Sequence, residues 1–243
     1  MSISINQQKL IASLSQKKYR IKHQLFIAEG VKVVEEILNS DFKMHSLFCT
    51  DDFVPTAPKE NVFSISEDEL KKISKLKKPN KVLALFEIPV KNNLQENGLL
   101  LALDSINDPG NLGTIIRLCD WFGVTQLVCS LKTADCYNPK VVQASMGSLT
   151  RVSIVYTDLK TYVKEAKLPI YIADTEGANV YKATLPKEAI LIMGNEANGV
   201  SSLVRDLVTH EISIPRFGEI NEAESLNVAT ATAILLGEFK RGL

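Results

Sequence analysis

The sequence lacks the apolar segments that membrane and secreted proteins carry. No apolar run in the 243 residues approaches the roughly 20 residues that are needed to cross a bilayer. The N-terminal text MSISINQQKL also lacks the basic and then apolar order of a secretory signal. We therefore expect a cytoplasmic protein that has no membrane partner. Its 45% hydrophobic and 23% charged content is average for globular domains and excludes disordered and fibrous classes.

Metal and redox motifs are missing as well. The cysteines include no C-x-x-C pair, and two of them lie in apolar stretches, where a thiol behaves as a small hydrophobic group. The histidines are far apart and form no i, i+4 pair of the kind that binds zinc. These residues are Cys49, Cys119, Cys129 and Cys136, with His23, His45 and His210. The sequence thus predicts reduced structural cysteines and no metal.

An excess of charge of either sign is also absent, since 28 basic residues balance 28 acidic ones. Proteins that coat nucleic acid without specificity need clustered Lys and Arg, so this balance argues against that class. Two local clusters exist, KKYRIK at 17–22 and KKISKLKKPNK at 71–81. Each fits a solvated helix face, and each also fits a phosphate-binding patch. The candidates for phosphate binding are Lys17, Lys18, Arg20, Lys71, Lys75, Lys77 and Lys78.

The first ninety residues predict a small α/β domain with the order helix, helix, strand, strand, helix, strand. Ser66 followed by Glu69 forms a capping box, which predicts a helix that starts there and ends in the lysine cluster. Residues 89–98, PVKNNLQENG, are polar and contain Pro and Gly, as linkers do. We place a domain boundary in this segment, which gives the domains 1–92 and 93–243.

After the linker the pattern changes to alternating strands and helices. The apolar segments that predict strands are LLLALD, TQLVCS, RVSIVY, LPIYIAD, AILIMG and HEISIP. Continuous apolar strands joined by helices predict an α/β fold whose parallel sheet is covered on both faces. Ligands bind such sheets beyond the carboxyl ends of the strands. The loops after LALD, YIAD, LIMG and ISIP are therefore the candidate site.

The loop after LALD leads into NDPGNLGTIIRLCD. Gly110 permits a tight turn and Asn111 is a good N-cap, so a helix is predicted to open near Asn111. Arg117 follows Gly113 by about one helical turn, which leaves space for a ligand beside the guanidinium. An exposed ion pair between Arg117 and Asp120 is the simpler interpretation.

The loops after LIMG and ISIP carry the other polar clusters. LIMGNEANGVS combines glycines and amides around Glu196, and its exposed backbone groups suit a flat ligand, although an ordinary turn is the alternative. ISIPRFGEINEAESLNVATA ends a strand at Pro215 and opens a helix of small residues at Ser225 to Asn227. Asn227 is predicted to lie just inside this helix, where its helix propensity is unfavourable.

These three segments together resemble motifs 1, 2 and 3 of the SpoU/TrmH family of RNA 2'-O-ribose methyltransferases, which belongs to the SPOUT superfamily. The resemblance covers about residues 99–240, and KKYRIKHQLFIAEGVKVVEEIL resembles the L30e-like substrate-binding domain that precedes the catalytic domain in many members. It implies that the catalytic residues are Asn111, Arg117, Glu196, Ser225 and Asn227. The implied cofactor-binding residues are Thr175, Gly177, Met193, Gly194, Asn195, Gly199, Ile214, Pro215 and Leu226.

The resemblance also implies S-adenosylmethionine as cofactor, RNA as partner, an α/β trefoil knot in the C-terminal domain, and a homodimer with active sites at the subunit interface. Arg117, contributed by the partner subunit, is expected to meet the phosphate of the target nucleotide and to help deprotonate the ribose 2'-hydroxyl, directly or through a bound group. Glu196 is expected to hold its loop or Arg117. The expected substrate is 23S rRNA, with tRNA as the alternative, because enzymes for both share the three motifs. Residues 217–224 form a longer loop than the family has, with Glu219, Glu222 and Glu224.

The sequence bears on three alternative functions. A Rossmann-type enzyme is disfavoured because no G-x-G-x-x-G follows the first strand of either half. A non-catalytic RNA-binding protein with the same fold is disfavoured because all the implied catalytic residues are present. A base methyltransferase, of the kind found elsewhere in the SPOUT superfamily, stays open.

Overall fold

The chain forms two compact units in the computed structural model, which describes residues 3–55, 60–90, 94, 96–208, 210–218 and 225–241. The first unit comprises Met1–Val90 and Asp135–Thr150, and the second comprises Lys91–Ala134 and Arg151–Leu243. A segment from the second half of the sequence therefore belongs to the first unit. The continuous domain ranges 1–92 and 93–243 remain a prediction.

Helices and strands alternate along most of the chain. The first ninety residues form α1 (Ile5–Ser13), α2 (Lys17–His23), β1 (Leu25–Glu29), α3 (Val31–Leu38), β2 (Met44–Cys49), β3 (Val62–Ser64), α4 (Glu67–Ile73) and β4 (Val82–Glu87). The rest forms β5 (Leu99–Leu103), α5 (Pro109–Trp121), β6 (Gln126–Ser130), α6 (Pro139–Ser145), β7 (Ser153–Thr157), α7 (Leu159–Glu165), β8 (Ile170–Asn179), β9 (Ala189–Met193), α8 (Ser202–Arg205), β10 (His210–Ser213) and α9 (Val228–Lys240).

A four-stranded sheet of order β1-β4-β2-β3 forms the middle of the first unit. The capping box at α4 is confirmed, because Ser66 Oγ accepts from Glu69 N at 3.2 Å and Glu69 Oε2 accepts from Ser66 N at 3.0 Å. The predicted element order was wrong in omitting β1 and one helix. All five residues of β1 are buried, and a short apolar run without alternation carries no periodicity that separates strand from helix.

Arg20 is buried inside the first unit, with 2% of its surface exposed. Its Nε donates to Asp135 Oδ2 at 2.9 Å, and its Nη1 donates to the carbonyl oxygen of Leu14 at 2.8 Å. A guanidinium held in this way cannot meet an RNA phosphate, so the assignment of Arg20 to RNA binding is contradicted. The arginine instead joins α2 to the segment that begins at Asp135, and α6 of that segment packs against β1.

The second unit contains a six-stranded sheet in which every pairing is parallel, with the order β10-β8-β9-β5-β6-β7. This confirms the six predicted strands and the parallel α/β class. All residues of the central strands β5 and β9 are buried, as expected for strands that helices cover on both faces. In the described residues no helix is long and apolar enough to span a bilayer, and no group of three or more His, Cys, Asp or Glu side chains could hold a metal ion.

Candidate active site

A cavity of about 720 Å³ opens at the carboxyl ends of β8, β9 and β10 in the second unit. This is the edge of the sheet at which the sequence predicted the site. Most of the predicted cofactor residues line the cavity, namely Thr175, Met193, Gly194, Asn195, Gly199, Ile214, Pro215 and Leu226. Two of the predicted catalytic residues, Glu196 and Ser225, line it as well. The sequence therefore identified ten of the residues that line the cavity.

An irregularity in the β8–β10 pairing shapes one wall of the cavity. Glu211 pairs with Ile172, whereas the next residue, Ile212, pairs with Ala178. The intervening residues 173–177 bow out of the pairing, and the first three of them line the cavity. Gly177 does not line it. A Cβ on Gly177 would lie 2.6 Å from Ile212 N, so glycine is required there for close strand packing and not for contact with a ligand.

The loop after β9 folds back on itself through backbone hydrogen bonds. Asn195 N donates to the carbonyl oxygen of Gly199 at 3.0 Å, and Gly199 N donates to that of Asn195 at 2.8 Å. A Cβ on Gly194 would lie 2.2 Å from Gly199 C, so the backbone can approach this closely only at glycine. The side-chain Nδ2 of Asn195 donates to the carbonyl oxygen of Ser105 at 2.9 Å, and Asp104 Oδ2 accepts from Ser201 N at 2.9 Å. These bonds fix the loop after β9 to the loop after β5.

Three of the predicted catalytic side chains form one hydrogen-bond chain. Asn227 Nδ2 donates to Asn111 Oδ1 at 3.0 Å, and Asn111 Nδ2 donates to Glu196 Oε1 at 2.6 Å. The orientation of the Asn227 amide is fixed, because its Oδ1 also accepts from Ala229 N at 3.0 Å and from Thr230 N at 3.3 Å. A flip of this amide would break both hydrogen bonds. We call Asn227, Asn111 and Glu196 the amide relay. It connects the first turn of α5 and the N-cap of α9 to the cavity wall.

Helix caps explain why these asparagines are where they are. Asp108, and not Asn111, is the N-cap of α5, since its Oδ1 accepts from Asn111 N at 2.8 Å. The prediction that Asn111 caps this helix was wrong, and the difference frees its side chain for the relay. Asn227 is itself the N-cap of α9 and does not lie inside the helix. Its position therefore carries no propensity cost, because asparagine is a preferred capping residue.

Arg117 lies away from the relay within its own chain. It is exposed on α5 and does not line the cavity. Six residues of α-helix rotate the side chain by about 240° and advance it by about 9 Å, so Arg117 and Asn111 point to different faces. The alternative interpretation, in which Arg117 forms an exposed ion pair with Asp120, was wrong. Asp120 instead accepts from Arg151 Nε at 2.9 Å.

A charged cluster at the cavity was not predicted from the sequence. Arg205 forms an ion pair with Asp174, and its Nη1 lies 3.2 Å from Glu211 Oε1. Partial burial raises the pKa of Asp174, but the hydrogen bonds from Glu176 N and Arg205 outweigh it, and the pKa lies below its ordinary value. The hydrogen bond to Asp174 raises the pKa of Arg205 in turn. No sequence signal marks this cluster, because β8, α8 and β10 each supply one member.

The predicted RNA-binding lysines are all exposed. Lys71 Nζ lies 3.1 Å from Asp68 Oδ1 on the surface of α4, which is the solvated helix face of the simpler interpretation. The other lysines that were predicted to bind RNA, Lys17, Lys18, Lys75, Lys77 and Lys78, are exposed in α2 or beyond the end of α4. Their role in RNA binding remains a prediction. Glu219, Glu222 and Glu224 of the longer loop lie outside the described residues.

The composition of the cavity fits S-adenosylmethionine. Its volume of about 720 Å³ is in the range of small-molecule sites. Met193, Ile214 and Leu226 give it apolar walls for a flat ring, while Thr175 and the loop after β9 add polar groups. Leu226 is 50% exposed, as expected of an apolar side chain that a ligand covers.

Comparison with known proteins gives two family matches. Residues 98–237 match the SpoU rRNA Methylase family, and residues 6–84 match the MRM3-like substrate binding domain. A relative from Bacillus subtilis, the 23S rRNA (guanosine(2553)-2'-O)-methyltransferase RlmP, is 32% identical over 92% of this chain and 91% of its own. A 23S rRNA (guanosine-2'-O-)-methyltransferase from Neisseria meningitidis, RlmB, is 31% identical over 79% of this chain and 82% of its own.

Solved structures agree with these matches. A protein from Porphyromonas gingivalis assigned to the TrmH family of RNA methyltransferases has a TM-score of 0.90 and 38% identity, with 98% of each chain covered. An AdoMet-bound rRNA methyltransferase from Sinorhizobium meliloti has a TM-score of 0.86 and 28% identity, with 100% of this chain and 98% of its own covered. These likenesses confirm the predicted fold class, the N-terminal substrate-binding domain and the cofactor. The chain therefore belongs to the SpoU rRNA methylase family of S-adenosylmethionine-dependent RNA 2'-O-methyltransferases.

Proposed function

We propose that this protein transfers a methyl group from S-adenosylmethionine to a ribose 2'-hydroxyl of 23S rRNA in the cytoplasm. The observation that carries the proposal is the amide relay, which presents fixed polar groups beside the cavity that fits the cofactor. The named relatives from Bacillus subtilis and Neisseria meningitidis act on 23S rRNA, and both cover most of this chain. The activities of these relatives support the choice of RNA.

The residues of the cavity hold the cofactor, and the amide relay orients the acceptor. Bound S-adenosylmethionine supplies an electrophilic methyl group. Thr175, Ile214 and Leu226 hold the cofactor against the loop after β9, whose close backbone packing requires glycine at Gly194. Asn111 and Asn227 orient the ribose together with Ser225, and Glu196 holds Asn111. Most of the rate enhancement comes from this positioning, because the transfer needs a hydroxyl oxygen fixed in line with the methyl group.

The active site is completed across a homodimer by Arg117 of the partner subunit. Within one chain Arg117 points away from Asn111, so it reaches a relay only if that relay belongs to another copy. Gly110, Thr114, Arg117 and Trp121 form one exposed stripe on α5, and Trp121 is 81% exposed. An apolar side chain of that size at the end of the stripe supports an interface there. The guanidinium of Arg117 then donates to the phosphate of the target nucleotide and stabilises the negative charge that develops on the 2'-oxygen, while the proton leaves to solvent because a guanidinium cannot accept it.

The first unit binds the RNA outside the active site. Its match to a substrate-binding domain supports this role, and its exposed lysines supply charges for phosphate contacts. The exposed members of the two clusters that take this role are Lys17, Lys18, Lys75, Lys77 and Lys78.

Mapping of 2'-O-methyl groups tests the choice of RNA. Total RNA from cells with and without the gene is compared at nucleotide resolution. We expect one position of 23S rRNA to lose its methyl group in the deletion strain and to regain it when the wild-type gene is restored. A gene carrying Asn111→Ala should not restore it. Loss of a methyl group from tRNA, with 23S rRNA unchanged, contradicts the assignment and establishes the tRNA alternative.

A further inference from the structure

The cavity presents opposite charges at one place. Asp174 and Arg205 both line it, and they form an ion pair with each other. Glu211 lies behind this pair and accepts from Arg205 Nη1 at 3.2 Å. The arginine is thus held by carboxylates on two different strands, β8 and β10. A charged cluster that three elements of the fold build at the edge of a ligand cavity is positioned to contact the ligand.

The cofactor has two chemically different ends. Its adenine is flat and largely apolar, whereas its methionine part ends in an ammonium and a carboxylate. The cavity has matching parts, because Ile214 and Leu226 are apolar while Asp174 and Arg205 are charged. We infer that Asp174 and Arg205 bind the charged amino-acid end of S-adenosylmethionine. The carboxylate of Asp174 accepts from the ammonium, and the guanidinium of Arg205 donates to the carboxylate.

The hydrogen-bonding capacity of both side chains permits these extra contacts. A guanidinium has five N–H donors, and Arg205 uses Nη1 for Glu211 and Nη2 for Asp174. Asp174 Oδ1 accepts from Glu176 N at 3.0 Å and Oδ2 accepts from Arg205, while each carboxylate oxygen can accept two bonds. The side chains of Arg205 and Asp174 are 36% and 17% exposed. A ligand in the cavity can therefore reach both.

Glu211 and the turn at Glu176 fix the geometry of this pair before a ligand binds. The hydrogen bond from Glu176 N holds one oxygen of Asp174, and Glu211 holds one end of the guanidinium. A preformed pair loses little conformational entropy on binding, which favours specificity. Asp174, Arg205 and Glu211 together carry one net negative charge, which suits a ligand that carries one net positive charge.

Binding calorimetry with two ligands tests the inference. S-adenosylmethionine is compared with 5'-methylthioadenosine, which keeps the adenine and ribose but lacks the amino-acid end. We expect Arg205→Ala and Asp174→Asn each to weaken binding of S-adenosylmethionine by about ten-fold or more, as loss of a charge-assisted hydrogen bond does. Binding of 5'-methylthioadenosine should change by less than about two-fold. Arg151→Ala, which breaks the ion pair of Arg151 with Asp120 outside the cavity, should alter neither.

Two results would overturn the inference. An equal loss of affinity for both ligands would show that Arg205 only supports the loop, and an unchanged affinity for S-adenosylmethionine would show that the pair does not contact the ligand. If Arg205→Ala fails to fold, Asp174→Asn decides alone, because it keeps the size of the side chain and removes the charge. The inference rests on the cofactor and not on the choice of RNA, so the mapping of 23S rRNA can fail while this result stands.

Discussion

Heterodimers with one substitution in each subunit distinguish an active site within one chain from one that two chains share. Arg117→Ala and Asn111→Ala alter the same helix, α5, yet in the proposed homodimer they damage different sites. Each homodimer alone should lose activity by about 100-fold or more, because each lacks a positioned polar group at both of its sites. Both should still bind S-adenosylmethionine, since neither residue lines the cavity.

The heterodimer of these two variants should regain activity. One of its sites combines the intact relay of the Arg117→Ala subunit with the intact arginine of the other subunit. Its second site lacks both groups. With one intact site of two in a symmetric dimer, the expected activity is about half that of the wild type. Co-expression with two affinity tags isolates this heterodimer for methyl-transfer assays.

The reciprocal pairing is the control. A wild-type subunit paired with a subunit carrying both substitutions has one damaged group at each shared site, so it should be nearly inactive. If Arg117 acted within its own chain, the two results would exchange, with the wild-type pairing about half active and the two single variants inactive together. That exchange, or a purely monomeric protein in sedimentation experiments, would refute the shared site.

Three further predictions concern the rest of the chain. Burial raises the pKa of Tyr162 to about 12, and its hydroxyl has no hydrogen-bond partner among the described residues. Tyr162→Phe should therefore leave the free energy of unfolding, measured by urea titration, unchanged or raise it by about 1 kcal/mol. A loss of stability would contradict this. Arg20→Ala removes the ion-pair partner of the Asp135 carboxylate and should lower the free energy of unfolding by about 3 kcal/mol. A change near zero would show that water replaces the arginine. Replacement of Lys77 and Lys78 by alanine should flatten the dependence of log K for RNA on log salt by about two units, and an unchanged slope would remove both from the RNA contact.

Local sequence patterns predicted most of the second unit. Its strands are continuous apolar runs, and the loops that follow them have the glycines and amides that a site needs. The capping box at Ser66 was also readable, because both partners lie within four residues. These features depend on neighbours in sequence, which is why a single sequence is sufficient to find them.

Features that depend on distant residues were missed or misassigned. In the sequence Arg20 belongs to a basic cluster, which suggests an exposed side chain. Its burial depends on the contact with Asp135, which is 115 residues away in sequence. Asp174 and Arg205 are 31 residues apart in sequence, and Asp174 lies in the segment of β8 that leaves the regular pairing with β10. Asn111 was taken for a cap because asparagine is a good one, whereas Asp108 takes that place three residues earlier. For Arg20 and for the pair of Asp174 and Arg205, tertiary contacts decided between local alternatives, whereas the cap of α5 depended on a choice between two nearby residues that can both cap a helix.

Analysis of the methylated nucleosides tests the central claim most directly. The purified protein is incubated with 23S rRNA transcript and S-adenosylmethionine labelled in its methyl group, and the RNA is then digested to nucleosides. Label in a 2'-O-methylnucleoside, absent with Asn111→Ala, is the predicted result. Label on a base, or none in RNA although the cofactor binds, would contradict ribose methylation by this site.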